Sequence, residues 1–300
     1  MGSWQHYVRP TTVQEALQAL QEAGGSARPI AGGTDLLLDL RQGRQAPLDT
    51  LVDVTGVQEM TTIDRRGGRL WIGAAAPLSA LLAGTHLAAE ATCLWEACQL
   101  IGGPQVRNVA TLGGNVAHGL PAADGAIALV ALEAKADVCG PQGRRSVPIS
   151  ALFAGPGEVT FDRGRELLIG FSLPAHRRRE VSAFRRVMRP QGVAIAILNL
   201  AAWVRWADSG IVEDVRLALG PSGAIPSRAR EAEGILRGSK GDAAALQRAR
   251  KALLAEAHLR TSPHRSSLEY RRHLASVLLE RTWAALVERG RGEKAAGDGE

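Results

Sequence analysis

Pro29-Ile-Ala-Gly-Gly-Thr-Asp-Leu36 and Ala110-Thr-Leu-Gly-Gly-Asn115 share one grammar: a glycine pair among small polar residues, placed ahead of a helical pattern. In the first, the run Arg28-Pro-Ile-Ala31 gives way to Gly32, Gly33, Thr34 and Asp35, and Asp35 to Arg41 reads as a helix. In the second, Thr111, Leu112, Gly113, Gly114 and Asn115 lead toward the helical run Ala122 to Leu132. Glycine lacks Cβ, tolerates positive φ and lets successive backbone N–H groups converge on one anion. A helix start just behind adds a favourable dipole, and Thr and Asn add hydrogen bonds without charge. Taken singly, a Gly-Gly pair is most often a tight turn, as at Gly67-Gly68, which lies between strand-like runs with no helix after it. Two loops of the same grammar in one domain point to a pyrophosphate, one phosphate each. With no Gly-x-Gly-x-x-Gly anywhere, the dinucleotide favoured is a flavin rather than a nicotinamide.

Outward from these loops, strands and helices alternate. Thr12-Val-Gln-Glu15 has capping-box spacing, Val13, Leu17, Leu20 and Ala23 supply an apolar face, and Gly24-Gly25 stops the helix. Leu51 to Val54 is strand-like, and Thr62 to Ala74 reads as a hairpin about Gly67-Gly68. Helical patterns follow at Pro77 to Ala83 and Leu87 to Leu100, then short strands at Ala136 to Cys139, Ser146 to Ile149 and Leu167 to Leu173. Pro174-Ala-His-Arg-Arg-Arg179 has the proline, the charge and the lost periodicity of a linker. Ala194 to Trp206 and Ile211 to Leu219 read as antiparallel strands, and Ser227 to Arg237, Asp242 to Ala257 and Ser266 to Glu288 as helices. The expectation is two α+β domains, 1–176 and 177–288, with a Gly- and charge-rich tail at 289–300.

Composition narrows the function. A chain of 300 residues with 45% apolar and 22% charged residues is an ordinary globular one, large enough for two domains. No apolar run approaches the roughly 20 residues of a membrane helix, and the N-terminus has neither the basic segment nor the apolar core of a secretory signal. Cys93, Cys98 and Cys139 cannot make a disulfide framework, which fits a reducing cytoplasm; Cys93 and Cys98 fall in an apolar helical pattern and read as core. The net charge of +6 is spread thinly. Its one cluster, Arg177 to Arg179 with Arg185, Arg186 and Arg189, carries no nucleic-acid signature and reads as a solvated turn. There is no Walker loop, His-Glu-x-x-His or Gly-x-Ser-x-Gly, and the histidines lack metal-ligand spacing. No catalytic or metal-ligating residue is expected.

Several motifs in order give the chain a likeness. Pro29 to Leu36, Ile101-Gly-Gly-Pro-Gln-Val-Arg-Asn108, Ala110 to Asn115 and Pro121-Ala-Ala-Asp124 resemble the FAD-binding medium subunit of molybdenum hydroxylases, the xanthine dehydrogenase and aerobic carbon monoxide dehydrogenase type. Arg9-Pro10, Ile72-Gly-Ala74, Gly155-Pro156, Glu166-Leu-Leu168 and Glu269-Tyr-Arg-Arg-His-Leu274 extend the resemblance over nearly the whole chain. It implies a two-part FAD-binding domain of the PCMH type followed by a smaller α+β domain. Pro29, Ile30, Ala31, Gly32, Gly33, Thr34, Asp35 and Leu36 would wrap the FAD diphosphate and ribityl chain, and Thr111, Leu112, Gly113, Gly114 and Asn115 would face them. Asp124 would accept from a cofactor hydroxyl, while Ile101 and Leu168 would lie along the flavin or adenine. Arg185 falls where relatives often carry a lysine near the isoalloxazine. In Arg189-Pro-Gln-Gly-Val193 some relatives place an aromatic ring against the flavin; here the nearest candidate is the aliphatic Val193.

The function so implied is electron transfer. A molybdenum-cofactor large subunit and a small subunit with two [2Fe–2S] clusters would deliver electrons to FAD on this chain, and NAD or O2 would take them. The partners would assemble as a dimer of heterotrimers, with no nucleic acid and no membrane span. The rival readings are a self-sufficient FAD oxidoreductase acting directly on a small substrate, and a non-redox nucleotide-binding module.

Overall fold

The computed structural model describes residues 3–189, 195–263 and 265–297. Its packing divides the chain into two units: 1–83, 101–120 and 134–174 form the first, and 84–100, 121–133 and 175–300 the second.

In the first unit, β1 (His6–Val8), β2 (Ala27–Ile30) and β3 (Thr50–Asp53) make a parallel sheet in the order β1-β3-β2. The helix Val13–Glu22 connects the first two; its capping box is complete, with Thr12 Oγ1 accepting from the Glu15 N–H and Glu15 reaching back. Its buried residues, Val13, Ala16 and Leu20, lie at helical spacing. Further along come β4 (Ile63–Arg66), β5 (Arg69–Gly73), β6 (Lys135–Gly140), β7 (Gly143–Pro148), the ribbon of β8 (Phe153–Gly155) with β9 (Glu158–Val159), and β10 (Leu167–Pro174). An antiparallel sheet takes the order β4-β5-β10-β6-β7. The β4–β5 turn is Gly67-Gly68, both at positive φ, as two-residue hairpin turns require.

The second unit is built on β11 (Glu180–Val187), β12 (Leu198–Trp206), β13 (Val212–Gly220) and β14 (Ser227–Arg228), antiparallel in that order. Alternation along the strands separates two faces. Leu200, Ala202, Val204, Val215, Leu217 and Leu219 pack with Leu274, Leu278, Leu279, Trp283 and Leu286 of the C-terminal helix Leu268–Gly297. The opposite face of the sheet receives two helices, Thr92–Leu100 and Asp124–Ala131. Asp124-Gly-Ala-Ile-Ala-Leu-Val-Ala131 is apolar on every side beyond its first residue, and all eight residues are buried. Gly220 admits this helix, since a Cβ there would lie 2.5 Å from Ile127 and 2.6 Å from the Pro121 carbonyl oxygen.

Three sequence expectations are corrected. The Leu87 to Leu100 pattern is two helices, Thr85–Glu90 and Thr92–Leu100, because Ala91 leaves the helical region at φ −151°. The basic segment after Pro174 is not a solvated turn throughout: Arg185 and Arg186 lie on β11. Where the tail begins, the C-terminal helix continues, and Arg289 donates to the Ser182 carbonyl and to Glu96. Cys93 and Cys98 are fully buried, the Cys93 thiol being pushed up to about 12 by burial. His176 is half-buried with its Nε2 shielded; its backbone N–H donates to the Glu90 carbonyl at 3.1 Å, and burial lowers the imidazole to about 4.

Candidate functional site

In the first unit β2 runs directly into the loop Ala31–Asp35 and then the helix Leu36–Arg41. Glycine is required at two points there, for different reasons. A Cβ on Gly32 would stand 2.0 Å from the Val109 carbonyl oxygen and 2.8 Å from the Ala110 nitrogen, so only a bare Cα fits. Gly33 adopts φ +64°, a region that side chains rarely occupy, and its carbonyl accepts from Leu37 at 3.0 Å. The N–H groups of Gly32, Gly33, Thr34 and Asp35 donate no hydrogen bond to the protein among the described residues. Thr34 and Asp35 are exposed.

Val109 and Ala110, against which Gly32 rests, open the second loop. The Ala110 carbonyl accepts from Leu78 at 2.9 Å, which anchors this segment. Thr111 caps the short helix Leu112–Ala117, its Oγ1 accepting from the Gly114 N–H at 3.0 Å. The Gly113 N–H donates to the Ala74 carbonyl at 3.0 Å, and a Cβ on Gly113 would meet that same oxygen at 2.4 Å. The two loops therefore differ, although their sequences gave them one role. In the second, the Gly113 and Gly114 amides are spent inside the protein, and glycine serves close packing. Its unspent bonding capacity lies at Asn115, whose Oδ1 is shielded and has no partner among the described residues.

The remaining candidates fall in different places. Ile101 is half-buried at the start of Ile101-Gly-Gly-Pro104, where Arg107 donates to the Ile101 and Gly102 carbonyls at 3.3 and 2.6 Å. Leu168 is buried on β10, the strand on which Leu112–Ala117 packs; the neighbouring Ile169 carbonyl accepts from Ala74, which in turn accepts from Gly113. Pro29 and Ile30 end β2, with Ile30 buried beside Leu36 and Leu37.

Asp124 and Arg185 belong to the second unit and are occupied there. Asp124 pairs with Arg186, and its other oxygen accepts from Asn199 Nδ2 at 2.7 Å. Burial pushes its carboxyl up, and the Arg186 charge pulls the other way. Arg185 donates to Glu96 at 2.9 Å and to its neighbour's carbonyl, Phe184, at 2.7 Å. Burial alone would raise Glu96, yet Arg289, the Phe184 N–H and Arg185 hold it below its ordinary value. Sequence reasoning missed Arg186, Asn199 and Glu96. Their partners across the fold lie 62 to 193 residues away along the chain, and no local pattern marks them. Val193 and its loop, 190–194, lie outside the described residues. Among the described residues no cluster of His, Cys, Asp or Glu could hold a metal, and no helix is long and apolar enough to cross a membrane.

A loop of unused amides, braced through a bare glycine against a second glycine loop, suits a dinucleotide diphosphate. The residues fit FAD: the first loop supplies donors for the diphosphate, and the second supplies Asn115 Oδ1, unpartnered among the described residues, as an acceptor for a cofactor hydroxyl. The family described as the FAD binding domain in molybdopterin dehydrogenase matches residues 3–176, and the CO dehydrogenase flavoprotein C-terminal domain matches 182–286. The chain belongs to this family of FAD-binding medium subunits of molybdenum hydroxylases. It is 30% identical to the xanthine dehydrogenase FAD-binding subunit of Escherichia coli O157:H7, over 96% of this chain and 97% of that one. Its identity to the carbon monoxide dehydrogenase medium chain of Afipia carboxidovorans is 31%, over 92% and 94%. Carbon monoxide dehydrogenase from Hydrogenophaga pseudoflava superposes with a TM-score of 0.89 at 29% identity, covering 95% of this chain and 98% of its counterpart.

Proposed function

We propose that this chain is the electron-transfer subunit of a molybdenum-containing hydroxylase, and that its first glycine loop holds the diphosphate of FAD while the second braces that loop and meets a cofactor hydroxyl. The contact of Gly32 with Val109 and Ala110 carries the reading, because it fixes the donor loop beside the segment leading to Thr111 and Asn115. Pro29 to Leu36 would hold the diphosphate and ribityl chain through the Gly32, Gly33 and Thr34 amides. Thr111 to Asn115 would lie opposite, with Asn115 Oδ1 accepting from a cofactor hydroxyl and Leu112 and Gly113 fixing the loop against Ala74. Ile101 and Leu168 would give apolar contact. Asp124 and Arg185 we assign to the internal ion pairs of the second unit.

Bound FAD supplies exchange of electrons singly or in pairs; this chain positions it and keeps acid–base chemistry out of its role. The names of the relatives, subunits and medium chains of dehydrogenases, support partners that carry the other cofactors. Those would be a molybdenum-cofactor large subunit and a [2Fe–2S] small subunit, in a cytoplasmic dimer of heterotrimers, with NAD or O2 as acceptor. The test is co-purification of the tagged chain with its neighbouring gene products. Molybdenum, iron and flavin recovered together support the proposal. An isolated chain whose flavin band near about 450 nm is bleached by a small substrate without partners would instead establish a self-sufficient oxidoreductase.

A further inference from the structure

Buried charges are ordinarily paired. Three in the second unit obey this: Asp124 faces Arg186, Glu180 faces Arg205, and Glu233 faces Arg228. Arg271 does not. It is 3% exposed, Nε is fully shielded, and among the described residues its guanidinium makes no hydrogen bond or ion pair with the protein. It sits one turn into the C-terminal helix, its own N–H donating to the Ser267 carbonyl at 3.2 Å. Just before it the chain folds tightly: Ser262 and Ser266 exchange backbone hydrogen bonds, and the Leu268 N–H donates to Thr261 Oγ1 at 3.0 Å. The charges that bear on Arg271 are of its own sign, Arg265 and Arg260, and both of these side chains are exposed.

A shielded guanidinium with five donors and no protein acceptor among the described residues, in the field of two further arginines, has the chemistry of an anion receptor. We infer that Arg271, with Arg265 and Arg260, forms a binding site for a small multiply charged oxyanion, with inorganic phosphate as the probe. The buried Arg271 would give planar, charge-assisted hydrogen bonds, and the two exposed arginines would add charge at the rim. The site uses neither glycine loop and does not depend on the flavin reading.

Calorimetric titration of the full chain with inorganic phosphate, at ionic strength held constant with chloride, tests this. Wild type should bind phosphate at a saturable site, and Arg271→Met should weaken that binding by about tenfold or more. Without phosphate, Arg271→Met should melt no lower than wild type, since it removes a charge with no protein partner. Should that variant fail to fold, the exposed Arg265→Ala and Arg260→Ala serve in its place, each weakening binding severalfold. No saturable binding by wild type overturns the proposal, as does phosphate binding that these substitutions leave unchanged.

Discussion

Gly32 and Val109 approach so closely that a β-carbon on the first would stand 2.0 Å from the carbonyl oxygen of the second. Neither residue brings a functional group to this contact. It nevertheless sets the separation of the two loops, because backbone meets backbone and no side chain can rotate away. Gly113 against the Ala74 carbonyl is a second contact of the same kind, at 2.4 Å.

Gly32→Ala and Gly113→Ala should therefore each force backbone movement, at a stability cost of about 1–3 kcal/mol, with much of the bound flavin lost. Gly114→Ala is the control, since its added Cβ would meet only Thr111 Oγ1, at 3.3 Å. Flavin absorbance per chain and urea midpoints check all three. Equal flavin content in Gly32→Ala and wild type would remove the basis for the two-loop site.

In the second unit, Asp124→Asn leaves Arg186 buried with a weakened partner. Breaking a pair this enclosed should cost about 3–5 kcal/mol, and Arg186→Met in the same background should recover part of it. A double-mutant cycle on urea midpoints measures the coupling. Additive losses would show that the two side chains do not depend on each other.

His176 gives the fold a pH dependence whose sign follows from its environment. The folded imidazole titrates at about 4 against an ordinary 6.5, so between these values the unfolded chain binds the proton first. Its contribution is held above pH 6.5 and is lost as pH falls toward 4. At pH 5 the loss should be about 2 kcal/mol relative to pH 8. His176→Leu should flatten this part of the stability profile. A wild-type slope that survives the substitution assigns the effect to another group.

Thiol reactivity should separate the cysteines. Cys139 is partly exposed, while Cys93 and Cys98 are enclosed and burial raises both thiols. A thiol reagent should modify one cysteine per native chain and the other two only in denaturant. Rapid modification of all three would contradict the packing of Thr92–Leu100 against the sheet.

Much of this architecture was legible from short-range pattern. Thr12 with Glu15, the Gly67-Gly68 hairpin and the β12–β13 pair all depend on residues that are neighbours in sequence or joined by one turn. The glycine loops were visible for the same reason. The division of labour between them was not, because the oxygen that takes the Gly113 amide belongs to Ala74. Strand β11 was missed because its arginines read as solvent-facing. Their neutralising partners, Glu96 and Asp124, come from helices far back along the chain. The break at Ala91 had no glycine or proline to announce it, and apolar positions continue through it.

Because the helices 92–100 and 124–131 are donated to the second unit from within the first 176 residues, the protein cannot be dissected by one cut. A fragment starting near 177 would expose the apolar sheet face those helices cover and strand Arg185, Arg186 and Arg289 without their carboxylates. Such a truncation should aggregate rather than fold, and a proteolytic nick after Pro174 should leave the two pieces associated.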